Sequence, residues 1–214
     1  MSSHVALEPR LVQPFLAQCR IQRLGPGVCV LRQGDPADEL FFIVQGSVAV
    51  VLGKKNRREL VLAYLGEGEF FGEVAYFTAD RSRSAMVRTR TECALARIDY
   101  RRLPELTDIY PALLVAMTSQ LARRLRATNQ KLSDLAFIDV AGRVARALLD
   151  LAARPEATIT VTGRQIVVTR KELARLVGCT REMVTKVLKE MVRHKQIATA
   201  GRSITLFPST PGRV

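Results

Sequence analysis

The 214-residue sequence predicts an α+β fold: a strand-rich N-terminal domain, one long central helix and a C-terminal winged helix-turn-helix. Three observations predict it. Short apolar runs alternate with glycine breakers from about Ile21 to Ile98. A leucine-rich stretch from Pro111 to about Phe137 keeps a mean spacing of 3.5 residues. Thr169 to Leu188 reads as two short helices around Gly178, with cations on the outer face of the second.

The N-terminal runs are Val28–Leu31, Leu40–Val44, Ser47–Leu52, Glu59–Tyr64, Ala85–Arg88 and Cys93–Ile98. Strands this short, separated by Gly25-Pro-Gly27, Gly34-Asp-Pro36, Gly46, Gly53 and Gly66-Glu-Gly68, argue for an antiparallel sandwich or barrel. Lys54–Arg58 reads as a polar hairpin tip. Pro111 suits the first turn of a helix. Leu114, Met117, Leu121, Leu125, Thr128, Leu132 and Leu135 follow it at steps of 3, 4, 4, 3, 4 and 3, the period of a coiled-coil seam and hence of a dimer. A single amphipathic helix lying on a core fits a stretch of this length too. Val140–Ala153 is a second helical pattern, Thr158–Val168 a hairpin around Thr162-Gly163, and Ile197–Ala200 with Ser203–Phe207 a wing. The tail Pro208–Val214 reads as loose. These divisions set domains at 1–110, 111–138 and 139–214.

Charge divides the same way. The chain carries +13, but residues 1–110 hold 15 Lys+Arg against 13 Asp+Glu, whereas 111–214 hold 18 against 7. A near-neutral half joined to a strongly basic one suggests a sensing or folding domain joined to a polyanion binder. A basic surface kept for solubility fits the count as well, although the excess falls on the half with the helix-turn-helix. No apolar run approaches the about 18 residues of a membrane span. Met1–Arg10 lacks the charged head and apolar block of a secretory signal, so a cytoplasmic location is expected. Cys19, Cys29, Cys93 and Cys179 show no metal spacing, and three of them sit among apolar residues as small core side chains.

In the helix-turn-helix, Thr169 with Glu172 forms a capping box. Leu173, Leu176 and Val177, then Val184, Val187, Leu188 and Met191, form the buried stripes. Arg181, Glu182, Thr185, Lys186 and Lys189 are left facing outward. Arg181 and Lys186 can address guanine and Glu182 can accept from cytosine. A glutamate on a helix meant for phosphates alone would be repulsive, so its presence favours base reading. Thr169, Arg170, Lys171 and Thr180 are placed for phosphates. A solvated mixed-charge face is the plainer reading of the same residues.

The other dense stretch is Phe70 to Thr89. Gly72 permits close approach of backbone to a ligand. Glu73 is an isolated carboxylate suited to accept from hydroxyls, and Arg83 can fork onto a phosphate with help from the Ser84 hydroxyl. A plain Glu73–Arg83 salt bridge fits the spacing equally.

These residues carry a resemblance. Phe70-Phe-Gly-Glu73 with Arg83-Ser-Ala85, Leu135–Val140, Gly142–Leu149 and Leu176–Glu182 are similar to the cyclic AMP receptor protein (CRP/FNR) family of bacterial transcription regulators, in near-constant register from about Phe15 to Phe207. The resemblance implies a cyclic-nucleotide-binding β-roll, a dimerisation helix and a DNA-binding winged helix-turn-helix. It implies a cyclic AMP cassette of Gly72, Glu73, Val74, Arg83 and Ser84, with Glu73 on the ribose 2′-hydroxyl and Arg83 on the cyclic phosphate. Arg124 and Thr128 join from the central helix, Thr128 on the adenine amine, and Asn129 reaches the partner subunit's pocket. Arg181, Glu182 and Lys186 match the readers of a TGTGA-type half-site. The expected partners are double-stranded DNA, a second copy of the chain and RNA polymerase; a membrane is not among them.

There are departures from the family pattern. Asn129 stands where a serine or threonine is common, Lys186 replaces an arginine, the Lys54–Arg58 tip is basic, and Arg20, Gln22, Arg97 and Arg102 differ from the usual polymerase-touching set. Activation and repression are therefore equally open. Cyclic GMP, cyclic di-GMP or no effector are the alternatives to cyclic AMP. An enzyme is not expected: a cyclic nucleotide hydrolase needs a metal pair, which two scattered histidines cannot hold.

Overall fold

The computed structural model describes residues 9–53, 59–78, 80–154 and 156–207. The chain divides into two compact units, Met1–Asn129 and Gln130–Val214. The expected hairpin tip Lys54–Arg58, the N-terminal Met1–Glu8 and the tail Pro208–Val214 lie outside the described residues.

The first unit begins with helix α1 (Pro9–Leu16) and strands β1 (Arg20–Leu24), β2 (Cys29–Leu31), β3 (Glu39–Gln45), β4 (Val48–Gly53), β5 (Glu59–Leu65) and β6 (Phe70–Phe71). The one-turn helix α2 (Val74–Phe77), β7 (Met86–Thr89), β8 (Cys93–Asp99), a 3-10 turn (Tyr100–Arg102) and α3 (Leu103–Ile109) follow. Two antiparallel four-stranded sheets result, ordered β1-β8-β3-β6 and β2-β7-β4-β5. The unbroken run Leu-Phe-Phe-Ile of β3 has a simple cause: the strand is covered on both faces. Phe41 and Ile43 enter a core between the sheets with Leu31, Val48, Leu65, Val87 and Leu95. Leu40 and Phe42 enter a second core with Phe15 of α1, Leu103 and Leu106 of α3, and Leu113 and Met117.

All six expected N-terminal strands are present, within a residue or two at their ends. The sequence reading lacked α1, α2, α3, β1 and β6. Strand β1 is exposed along nearly its whole length and exists because all five residues pair with β8, a contact that no local pattern announces.

Helix α4 runs Pro111–Phe137 and crosses the boundary between the units. The second unit continues with α5 (Val140–Ala152), the hairpin β9 (Thr158–Thr160) and β10 (Gly163–Val167), α6 (Arg170–Val177), α7 (Arg181–Arg193), and the wing β11 (Ile197–Ala200) and β12 (Ser203–Leu206). Its sheet order is β11-β12-β10-β9. Val144 and Leu148 of α5, Leu173 and Val177 of α6, Val184 and Leu188 of α7, and Ile166, Ile197 and Ile204 from the strands make one core. Asp139 caps α5 by accepting from Gly142 N at 2.8 Å.

Candidate functional site

Two surfaces collect the residues singled out in the sequence. The first is a cavity of about 330 Å³ in the N-terminal unit, lined mainly by apolar side chains such as Val50, Leu62, Leu121 and Leu125. Seven of the eight expected effector residues line it: Gly72, Glu73, Val74, Arg83, Ser84, Arg124 and Thr128. The eighth, Asn129, does not line it and is exposed.

Gly72 follows β6 at φ +84°, and a Cβ there would stand 2.8 Å from Arg83 Nη1 and 3.2 Å from the Glu39 carbonyl. Only glycine combines that backbone angle with that close approach. Glu73 opens α2 without a side-chain capping bond, so its carboxylate is free to turn elsewhere. It is 3% exposed and pairs with Arg124 at 2.6 Å through Oε1, while Oε2 is buried with no hydrogen-bond partner among the described residues. Burial pushes the Glu73 carboxyl up, and the Arg124 guanidinium pulls it partly back. The expected alternative, a Glu73–Arg83 salt bridge, is therefore replaced by a Glu73–Arg124 pair. Arg124 also donates to the Phe70 carbonyl and lies 3.6 Å from Glu69.

Arg83 is 5% exposed. Its backbone is held on both sides, by Gly34 N on its carbonyl at 2.8 Å and by its own N on Asp35 O at 2.9 Å. Its Nη1 donates to Glu39 O at 2.9 Å, Gly72 O at 3.3 Å and Tyr100 Oη at 3.0 Å. A buried guanidinium beside an apolar cavity is a ready anion site. Tyr100 and Gln120 were missed in the sequence. Gln120 is buried on α4, accepts from Phe70 N at 2.8 Å and donates to Gly68 O at 3.1 Å, so it ties α4 to β6, which leads into Gly72. Neither residue belongs to a short motif, so no signal in the sequence marks it.

The second surface is on α6 and α7. Thr169 Oγ1 accepts from Glu172 N at 3.1 Å, the forward half of the expected capping box. Gly178 closes α6 in the left-handed region, at φ 72°, and Thr180 caps α7 by accepting from Met183 N at 3.3 Å. Leu173, Val177, Val184 and Leu188 are buried, and Leu176, Val187 and Met191 pack against them, as expected. Arg181, Glu182, Lys186 and Lys189 are exposed, as are Lys171 and Thr180; Thr169, Arg170 and Thr185 are half-buried. Backbone N–H groups at the start of α7, then the Thr180 hydroxyl, hold the Glu182 carboxyl below its usual range, which keeps it an acceptor. The Thr185 hydroxyl donates to Arg181 O at 2.8 Å, so its hydrogen is committed to the helix.

Along α4, Leu114, Leu125, Leu132 and Leu135 are 42%, 63%, 60% and 42% exposed, while Met117 is buried in the N-terminal core. Cys19, Cys93 and Cys179 each join a core, and burial pushes the Cys19 thiol up to about 12. Among the described residues no group of three His, Cys, Asp or Glu side chains is arranged to hold a metal, and no helix is long and apolar enough to cross a membrane.

Comparison with known proteins agrees with this layout. Residues 21–110 match the cyclic nucleotide-binding domain family and residues 142–207 the Crp-like helix-turn-helix domain family. The chain is 39% identical over 193 residues to the cAMP-activated global transcriptional regulator CRP of Salmonella typhimurium, covering 90% of this chain and 92% of that protein. It is 41% identical over 196 residues to the cAMP-activated global transcriptional regulator Vfr of Pseudomonas aeruginosa, again covering 90% and 92%. The solved structure of the c-di-GMP responsive global regulator CLP of Xanthomonas campestris superposes with a TM-score of 0.90 at 40% identity, covering 94% of this chain and all of that one. With a cyclic-nucleotide-binding domain and a helix-turn-helix in this order, the chain belongs to the CRP/FNR family of DNA-binding transcription regulators.

Proposed function

We propose that the chain is a homodimeric regulator that binds palindromic TGTGA-type DNA when cyclic AMP occupies the cavity beside Arg83. The observation that carries this reading is the pairing, in one apolar cavity, of a buried guanidinium with a buried carboxylate oxygen that has no partner among the described residues. An unsatisfied buried acceptor is costly unless something completes it. A cyclic mononucleotide offers one phosphodiester for Arg83 and Ser84 and one 2′-hydroxyl for Glu73, with its base against the apolar wall and Thr128. Residues 1–110 would sense, 111–138 dimerise and 139–214 read DNA.

The exposed seam leucines support dimerisation, since a helix fully docked on its own domain would hide them. Asn129, exposed one position beyond Thr128, is free to complete the pocket of the partner subunit. In the dimer Arg181, Glu182 and Lys186 would read bases, with Thr185 and Lys189 beside them. Arg170, Lys171, Thr169 and Thr180 would hold phosphates, and the recognition helices would lie about 34 Å apart. RNA polymerase is the expected further partner, in the cytoplasm.

Cyclic di-GMP is the second reading, favoured by the likeness to a structure described as c-di-GMP responsive. A dinucleotide has two bases and two phosphates, whereas the cavity holds one buried arginine and, at about 330 Å³, lies at the low end of small-molecule sites. Calorimetry with cyclic AMP, cyclic GMP and cyclic di-GMP separates the readings. Gel shifts on a TGTGA palindrome with and without the tightest ligand then test the switch; equal DNA affinity in both would remove it.

A further inference from the structure

The Arg83 side chain is restrained on one edge of its guanidinium. Among the described residues its three side-chain hydrogen bonds leave from Nη1, to Glu39 O, Gly72 O and Tyr100 Oη. The Nη2 atom lies 3.9 Å from the carboxylate of Asp38, a side chain that is 84% exposed. A guanidinium is rigid and planar, so fixing Nη1 leaves the Nε and Nη2 edge as the fork that can meet an anion.

Of the three partners of Nη1, two are backbone carbonyls and one is a side chain. The Tyr100 hydroxyl accepts from Nη1 and donates its own hydrogen to the Gly72 carbonyl. It therefore bridges the arginine to the peptide that immediately precedes Glu73. Burial raises the tyrosine above its ordinary value, so the hydroxyl keeps the hydrogen this bridge requires. The ring is placed independently of its hydroxyl, by an edge contact with Tyr76 at 5.3 Å and by the Tyr100 N bond to Asp38 O at 2.8 Å.

We propose that Tyr100 is the positioning residue of the anion grip: its hydroxyl locks the Arg83 plane against Gly72, so that the Nε and Nη2 edge addresses the two exocyclic oxygens of a cyclic phosphodiester separately. The proposal rests on the cyclic mononucleotide reading above. It adds a residue that never touches the ligand yet decides how sharply the ligand's phosphate is read.

The test is calorimetry on full-length wild type and Tyr100→Phe with cyclic AMP and its two phosphorothioate diastereomers, each with sulfur at one exocyclic oxygen. Phenylalanine keeps the ring contacts, and circular dichroism confirms the fold. Tyr100→Phe should bind cyclic AMP about tenfold more weakly, the scale of one hydrogen bond to a charged group. Its affinity ratio between the two diastereomers should move toward one, because a loosened fork no longer separates the two oxygens. Unchanged affinity for cyclic AMP, or an equal loss for all three ligands, would overturn the positioning role. Wild type that binds none of the three would instead sink the mononucleotide reading, and Tyr100's role with it.

Discussion

Glu73, proposed above to bind the effector, illustrates how a carboxylate is kept available at the expense of stability. One carboxylate oxygen is paired with Arg124, the other is buried alone, and burial outweighs the pair so that the carboxyl is raised. A raised carboxyl binds more protons folded than unfolded, so its ionisation opposes folding. That penalty is absent below the ordinary glutamate value of about 4.3, grows as pH climbs to the folded value, and is complete above it. Glu73→Gln should therefore melt higher than wild type at neutral pH, with the gain vanishing below about 4.3, and should bind cyclic AMP more weakly. Melting curves across that range with calorimetry at neutral pH check both halves; a gain that persists in acid would refute the linkage. Gly72, Glu73, Arg83 and Ser84 were legible because they form a local motif. The Arg124 partner of Glu73 lies 51 residues away, and Tyr100 lies 17 residues from Arg83. Such pairings cannot be read from spacing.

Helix ends add to the stability that the apolar core gives the C-terminal unit. Thr180 caps α7 through its side chain, and Thr180→Ala should cost about 1 kcal/mol by urea unfolding. No change would mean that the cap is redundant with the buried face of Val184 and Leu188. The last turns of α4 are tied to α5 by Asp134. Its carboxylate accepts from Gln130 Nε2 at 2.9 Å and pairs with Arg146. Gln130, then Arg146 and the nearby Arg143, hold the Asp134 carboxyl below its usual range. A lowered carboxyl stabilises fully above the ordinary aspartate value of about 3.9, and that contribution is lost as pH falls through the folded value. Asp134→Asn should melt lower than wild type at neutral pH, and the two should converge below about 3.9. A constant difference at all pH values would point to packing rather than charge. The elements themselves were legible wherever period or caps mark them, as in α4 to α7 and the wing. The short α3 and the exposed β1 were not, because tertiary pairing holds them and local propensity does not.

Net charge and assembly act on the whole molecule. The excess of cations in the second half makes DNA affinity salt-dependent, with a log–log slope of about −0.9 for each phosphate neutralised. Arg170→Ala and Lys171→Ala should each flatten that slope by about one phosphate's worth, whereas Glu182→Ala should relax base preference and leave the slope unchanged. Filter binding at several salt concentrations on cognate and scrambled duplexes distinguishes these outcomes. The exposed Leu125 and Leu132 are the residues through which the proposed dimer would close. Leu125→Glu with Leu132→Glu should sediment as a monomer and lose most operator affinity, since each half-site would then be bound alone. An unchanged sedimentation coefficient would place the dimer contact elsewhere.

By itself the amino-acid sequence determined the order of domains, the strands that carry apolar runs, the long helix, the helix-turn-helix with the Thr169 cap and the basic charge of the C-terminal half. Periodicity, breakers, caps and charge are relations among neighbours along the chain, so they survive without a fold. Only the tertiary structure decided which partners the pocket's charges take, that Glu73 keeps an empty acceptor, and that Tyr100 stands behind Arg83. Those relations join residues far apart in the chain, and they exist because sheet order and the docking of α4 bring Glu39 of β3, Gly72 just after β6 and the Arg83 loop before β7 to one place.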